Sequence, residues 1–196
     1  MVPNMDGRPV LIFFLRVLAW LPLTFAVWYY FSILLTRPIA WAIDGLLPNL
    51  FSPVIADIRQ NGYQLTILAK ITSPAGTLGL LRFDINTLLY SNCLPLYTAL
   101  VLASPGREVQ KWGHWMIGLI LLWLVAIFGV SLEILKYLIV EIPESSGEFA
   151  FPSWLINGLV LTDLYTNLLL PALSSLVIWI ALNLNYIKQL TQRIEP

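Results

Sequence analysis

The chain has 196 residues, of which 58% are apolar, 13% aromatic and only 11% charged. Soluble globular domains carry roughly 45–50% apolar and about 25% charged residues. This chain has too few polar residues to cover the surface of a soluble domain, so its composition excludes an ordinary soluble protein. The formal net charge is zero, which gives no electrostatic basis for binding nucleic acid. The single cysteine, Cys93, excludes an intramolecular disulfide. The composition therefore predicts an integral membrane protein whose solvent is the lipid bilayer.

Four apolar stretches approach the length of a membrane span, which is roughly 20 residues for a bilayer core of about 30 Å. They lie at about residues 10–35, 87–103, 115–140 and 160–184. The first is too long for the apolar region of a signal peptide and no small-residue cleavage site follows it, which favours a retained anchor. The last contains Pro171 and is predicted to divide into a short interfacial helix up to Tyr165 and the span proper. The sequence thus predicts an all-α integral membrane protein, a single membrane domain with about four transmembrane helices.

Basic residues in short loops and tails mark the cytoplasmic side of a membrane protein. Here they precede the first span, follow the last and fill the loop between spans two and three: Arg8, Arg107, Lys111, Lys188 and Arg193. The loop at 141–153 carries glutamates and no basic residue. Both termini are therefore predicted to be cytoplasmic. Residues 36–86 are predicted to be extracytoplasmic, since an odd number of spans separates them from the cytoplasmic loops.

The extracytoplasmic segment 36–86 has its own pattern. Residues 38–51 read as an amphipathic piece whose Trp41 suits the membrane interface. Residues 62–68 and 78–85 alternate at close to the period of a strand, and the turn signal Ser73-Pro74-Ala75-Gly76 lies between them. The pattern predicts a small β-hairpin that rests on the outer membrane surface.

Cys93, Arg107 and His114 resemble the Cys/Arg/His set of membrane-embedded sorting transpeptidases such as exosortases, and this resemblance implies the roles of nucleophile, oxyanion stabiliser and base. However, fourteen positions separate Cys93 from Arg107, about 21 Å in a helix, and the predicted topology puts them on opposite sides of the membrane. The sequence therefore predicts a structural cysteine and no enzyme, with a divergent thiol transpeptidase using Cys93 as the alternative. One histidine and one cysteine cannot supply a zinc site, so no metal and no cofactor is predicted.

Ionisable residues at membrane depth are costly unless they are paired or hydrated, and they are candidates for a functional surface. Glu133 and Lys136 are three residues apart in one predicted helix and share a face, and Asp163 lies at comparable outer depth in the fourth span. Tyr137 and Tyr165 add amphipathic rings beside them. The sequence predicts that these five residues bind a partner. One alternative is that these residues are merely hydrated at the membrane interface. Another is that the protein is a small transporter subunit, although no further charged residues continue the path toward the inner side of the membrane.

Several features together resemble one known family. They are the aromatic first span with Trp28-Tyr29-Tyr30, the amphipathic segment ending at Pro53, the hairpin around 62–72, and the run 86–97, with Cys93-Leu94-Pro95, that continues into 99–103. On these residues the chain resembles the exosortase H-associated membrane proteins.

The resemblance implies an accessory of an exosortase protein-sorting system in the bacterial inner membrane, with no catalytic residue to carry over. Its partner would be the sorting enzyme or the substrate of that enzyme. Exosortases themselves place a small-residue motif after their cysteine, where this chain has Leu94-Pro95, and this chain also lacks well-placed arginines in its later spans. That departure disfavours an enzyme and leaves the accessory role.

Overall fold

The computed structural model describes residues 8–51, 54–72, 78–141, 152–184 and 187. The described chain is mostly helical with one small sheet. Its elements in order are α1 (Arg8–Tyr30), α2 (Ser32–Leu50), β1 (Ile55–Asn61), β2 (Gln64–Thr72), β3 (Leu78–Asn86), α3 (Leu88–Ser91), α4 (Cys93–Ala103), α5 (Glu108–Lys136), a π-helical turn (Tyr137–Glu141), α6 (Ser153–Leu168) and α7 (Leu170–Leu182).

Two helical stretches are long and apolar enough to cross a membrane, Val10–Tyr30 and Glu108–Ile139. The apolar stretches Leu88–Ala103 and Leu170–Leu182 are shorter, so the count of four spans stays a prediction. The first predicted span, 10–35, crosses a break at Phe31, where α1 ends and α2 begins. Side chains such as Phe14 and Leu18 are exposed along α1, and a contiguous exposed apolar surface of this kind suits contact with lipid.

The chain divides into two compact units. The α4 unit consists of Met1–Phe31, Asn92–Leu122 and Ala172–Pro196, and the sheet unit consists of Ser32–Ser91 and Trp123–Pro171.

Helix α4 is the centre of the α4 unit. Eight of its eleven residues are buried, on every side of the helix, which is typical of a helix surrounded by other helices. It lies along α1, and the Ser175 hydroxyl of α7 donates a 2.8 Å hydrogen bond to the Cys93 carbonyl. At the other end of α4, the Trp179 indole N–H donates to the Ser104 hydroxyl over 2.8 Å. Side-chain hydrogen bonds between helices of this kind hold membrane helices together.

The sheet unit contains three antiparallel strands in the order β1-β2-β3. The pairing of β2 with β3 confirms the hairpin predicted from residues 62–68 and 78–85, although its predicted turn at 73–76 lies outside the described residues. The prediction of only two strands is wrong, because β1 pairs with β2 through the two-residue loop Gly62-Tyr63. Gly62 has φ +65°, and a glycine at the first loop position is the preference of a type II′ hairpin turn.

One face of the sheet is apolar and packs on helices. Ile58, Leu65, Ile67 and Ile85 are buried there, because alternate residues of a strand share a face. The facing helical residues recur every four positions, the spacing of one helix face. They are Ile39, Ile43 and Leu47 of α2, Ala126, Val130 and Ile134 of α5, and Leu138 of the π-helical turn. This cluster is the core of the sheet unit.

Two polar contacts fix the sheet in place. The Gln60 amide in β1 donates to the Thr36 hydroxyl of α2 over 3.1 Å, which anchors the β1 edge to that helix. The Thr87 hydroxyl, just after β3, donates to the Tyr63 carbonyl over 2.5 Å. Thr87 is buried, so the connection between β3 and α3 is fixed in position.

Candidate partner-binding surface

The end of α5 carries three of the five residues predicted to bind a partner. The helix changes at Tyr137 into a π-helical turn, a rare conformation that is frequent at functional sites. The Tyr137 ring stacks on the Phe83 ring of β3, with centroids 5.1 Å apart and planes 17° apart. The Lys136 ammonium lies 5.3 Å from the centre of the Tyr137 ring, within the range of a cation–π contact.

Glu133 lies one turn before this group, on a crowded face of α5. Its Oε2 atom is buried. Four residues earlier, Gly129 brings α5 against α3 and α6: a Cβ at that position would lie 2.5 Å from Cδ1 of Tyr90 and 2.9 Å from Cγ2 of Thr166. Positions four apart share a helix face, so Glu133 continues the face on which α5 meets these two helices.

Helix α6 carries the other two predicted residues. Tyr165 is 61% exposed and directly precedes Thr166, the residue that meets α5 at Gly129. Asp163 lies three residues before Thr166 in α6, and its side chain lies outside the described residues. The structure thus places Glu133 and Lys136 at the end of α5, Tyr137 at the start of the π-helical turn, and Tyr165 on the neighbouring helix α6.

The second face of the sheet is polar and alternates in charge, a feature that the sequence reasoning missed. Asp57 and Arg59 of β1 pair over 2.6 Å, and Arg82 and Asp84 of β3 pair over 3.5 Å. The Thr66 hydroxyl of β2 lies between them and donates to Asp84. The sequence does contain a sign of this face: opposite charges lie two residues apart in two strand-like segments. In a strand, residues two apart lie on the same face.

An apolar cavity of about 130 Å³ lies between the end of α2 and the C-terminal half of α5. Its lining consists of leucine and phenylalanine side chains with one hydroxyl: Leu46, Leu47, Leu50, Phe51, Phe128, Ser131, Leu132 and Leu135. A cavity of this chemistry can receive an apolar side chain.

The candidate catalytic set is not assembled around Cys93. The thiol residue is 1% exposed and begins α4, whereas Arg107 follows the far end of that helix. The eleven residues of α4 span about 16 Å. His114 contributes its backbone carbonyl to a 2.6 Å hydrogen bond from the Tyr97 hydroxyl. A buried thiol separated from its arginine by a whole helix cannot act with it on one substrate.

The comparisons with known proteins agree with the resemblance seen in the sequence. No curated protein and no solved structure matches the chain. A family model does match it, over residues 7–186, and its description is exosortase H-associated membrane protein. The match covers all the described elements from the start of α1 to the end of α7. The chain therefore belongs to the exosortase H-associated membrane protein family.

Proposed function

We propose that this protein is a non-enzymatic accessory of a bacterial exosortase system, which binds or positions the sorting enzyme or its substrate. It is a multi-pass protein of the inner membrane with both termini in the cytoplasm. Its working surface is the outer polar patch, defined as Glu133, Lys136, Tyr137, Asp163 and Tyr165. The family to which the chain belongs supports the link to the exosortase system.

The observation that carries the proposal is the stack of Tyr137 on Phe83. It packs Tyr137, which directly follows the end of α5, against β3 of the sheet. A partner that contacts Lys136 or Tyr137 therefore binds residues that the core of the sheet unit holds rigidly. Binding sites on rigid elements are more precise than sites on loops.

The chemistry of the patch also favours binding. Carboxylate and ammonium groups at membrane depth are costly in lipid, and Glu133 and Lys136 are both half-buried. Tyr165 offers a ring that is apolar in its body and polar at its tip, a side chain enriched at protein interfaces. The buried position of Cys93 supports a role without nucleophilic chemistry.

The test is a charge reversal of the patch, Glu133→Lys with Lys136→Glu. The swap keeps one acidic and one basic residue at the same spacing. It exchanges the positions of the negative and positive charges that a partner would contact. We expect the variant to insert at the wild-type level and to lose co-purification with the exosortase-type enzyme from detergent.

A matched control exists at the other end of the same helix. Glu108 and Lys111 are also three residues apart and form an ion pair of 3.2 Å. The swap Glu108→Lys with Lys111→Glu should therefore retain the partner. Retention of the enzyme by both swaps at matched expression would show that Glu133 and Lys136 are an internal structural pair and that the patch is not the binding surface.

A further inference from the structure

The two edge strands of the sheet, β1 and β3, differ in how well they are protected from pairing with another strand. The β1 edge lies against α2, carries a register irregularity between Ile55 and Asp57, and is anchored by the hydrogen bond from Gln60 to Thr36. Among the described residues, the β3 edge shows no comparable register irregularity and no anchoring hydrogen bond to a helix. Within the part of the chain that the structure describes, β3 pairs with β2 alone, in an unbroken register from Gln64↔Asn86 to Thr72↔Leu78.

An open strand edge of nine residues presents a row of backbone donors and acceptors to any other strand. Natural proteins usually protect such an edge with proline, a bulge or charged side chains. Strand β3 contains no proline, and its described pairing shows no bulge. Its exposed side chains include Leu80 as well as Arg82 and Asp84, and these two charges have opposite signs two positions apart.

This charge order makes β3 complementary to itself. In an antiparallel pair, opposite residues share a face. When Phe83 lies opposite Phe83 of a second copy, Arg82 lies opposite Asp84 in both directions. On the apolar face, Leu81 then lies opposite Ile85. The exposed charges that would repel a strand of arbitrary sequence thus attract a second β3.

Other registers are worse. A shift by a single residue puts the apolar face of one strand against the polar face of the other. A two-fold axis at Arg82 sets arginine against arginine, and an axis at Asp84 sets aspartate against aspartate. Like charges directly opposite each other in a sheet are destabilising, whereas opposite charges contribute roughly 0.2–1 kcal/mol per pair. The charges therefore select one register.

We propose that β3 is a homodimerisation edge, at which two copies of this chain join their sheets into one of six strands with the two-fold axis at Phe83. The interface is isologous, as in most closed dimers. The dimer does not depend on which partner the outer polar patch binds.

The register can be tested by disulfide crosslinking of the full-length protein in membranes. Two differently tagged copies are co-expressed, one with Arg82→Cys and one with Asp84→Cys. Opposite residues in the proposed register have Cα atoms about 4.5–5.5 Å apart, within reach of a disulfide, whereas diagonal neighbours lie about 7–8 Å apart. We expect oxidation to crosslink the mixed pair and to leave either variant with itself largely uncrosslinked. A matched pair on the covered edge, Asp57→Cys with Arg59→Cys, should remain uncrosslinked.

Charge variants test the same contact without cysteine. Arg82→Asp should halve the apparent mass of the protein in mild detergent by abolishing the dimer, and the swap Arg82→Asp with Asp84→Arg should restore it. The corresponding change on β1, Arg59→Asp, should leave the dimer intact. The proposal is overturned if the mixed pair crosslinks no better than the single variants, if the β1 pair crosslinks equally, or if the β3 cysteines crosslink only to a different polypeptide.

Discussion

The rings of Tyr137 and Phe83 stack with their centroids 5.1 Å apart and their planes 17° apart, although 54 positions separate them in the sequence. The contact joins the end of the longest helix, through its π-helical turn, to the outermost strand of the sheet. The Lys136 ammonium lies 5.3 Å from the centre of the same tyrosine ring. Tyr137 and Phe83 therefore connect the end of α5 to β3.

The ring stack should contribute measurable coupling energy. Aromatic pairs contribute about 1 kcal/mol beyond the area that they bury. We expect the single changes Phe83→Ala and Tyr137→Ala each to lower the free energy of unfolding in detergent, and the double change to cost about 1 kcal/mol less than their sum. Tyr137→Phe keeps the ring and should retain the coupling. Strictly additive losses would show that the two rings do not stabilise each other.

Gly118 is predicted to tolerate no side chain. A Cβ there would lie 2.1 Å from Cζ of Tyr97, and Tyr97 is fully buried with its hydroxyl bonded to the His114 carbonyl. Overpacking of this kind costs about 2 kcal/mol, so Gly118→Ala should lower the thermal midpoint in detergent. Gly113→Ala in the same helix is the control: nothing lies within 4 Å of its Cβ, and alanine favours the helix by up to about 1 kcal/mol. Equal behaviour of the two variants would contradict the close packing of Tyr97 on α5.

Cys93 should behave as a structural residue. Because the residue is 1% exposed, a maleimide should fail to label it in native membranes and should label it after denaturation in SDS. Cys93→Ser should leave protein level and sorting activity near wild type, since the two side chains differ by one atom. Loss of sorting at a normal protein level, together with rapid labelling of the native protein, would instead identify a nucleophile.

The topology prediction can be checked with reporter fusions. Reporters placed after Glu195 and within residues 107–111 should read cytoplasmic, because basic residues flank both sites. Reporters placed near Ser73 and Ser146 should read extracytoplasmic. An extracytoplasmic signal at Lys111 would contradict the four-span arrangement and the side assigned to the patch.

Periodicity predicted most of the elements, and the errors have local causes. Alternation in residues 62–68 and 78–85 was enough to predict β2 and β3. The pattern does not predict β1 because it reads Gly62 as the start of a strand, whereas Gly62 and Tyr63 form the hairpin loop, in which Gly62 adopts φ +65°. Helix α2 begins at Ser32 and runs through Pro38, since a membrane protein tolerates proline inside a helix when neighbouring groups satisfy the freed backbone.

The sequence predicted the amphipathic character of the segment at 38–51, but not what its apolar residues pack against. Its apolar residues divide between two directions: Ile39, Ile43 and Leu47 are buried in the core of the sheet unit, whereas Trp41 is 73% exposed. Periodicity identifies apolar positions, and it does not say whether protein or lipid covers them.

The candidate site was predictable only in part. Spacing in one helix was enough to group Glu133 with Lys136. The stack of Tyr137 on Phe83 was not predictable, because it joins elements that are distant in the sequence and depends on the π-helical turn. The separation of Cys93 from Arg107 followed from helix geometry, and the structure adds that the cysteine is buried in the centre of the α4 unit.

Site-specific photocrosslinking tests the central claim most directly, that the outer polar patch contacts the sorting machinery. A photoreactive phenylalanine replaces Tyr165, which is 61% exposed in the patch, and, as a matched control, Tyr29, which is 68% exposed on α1. We predict that irradiation of cells crosslinks the Tyr165 position, and not the Tyr29 position, to the exosortase-type enzyme or to its substrate. Crosslinking to either protein from the Tyr29 position alone, or from neither position while both proteins are present, would contradict the account.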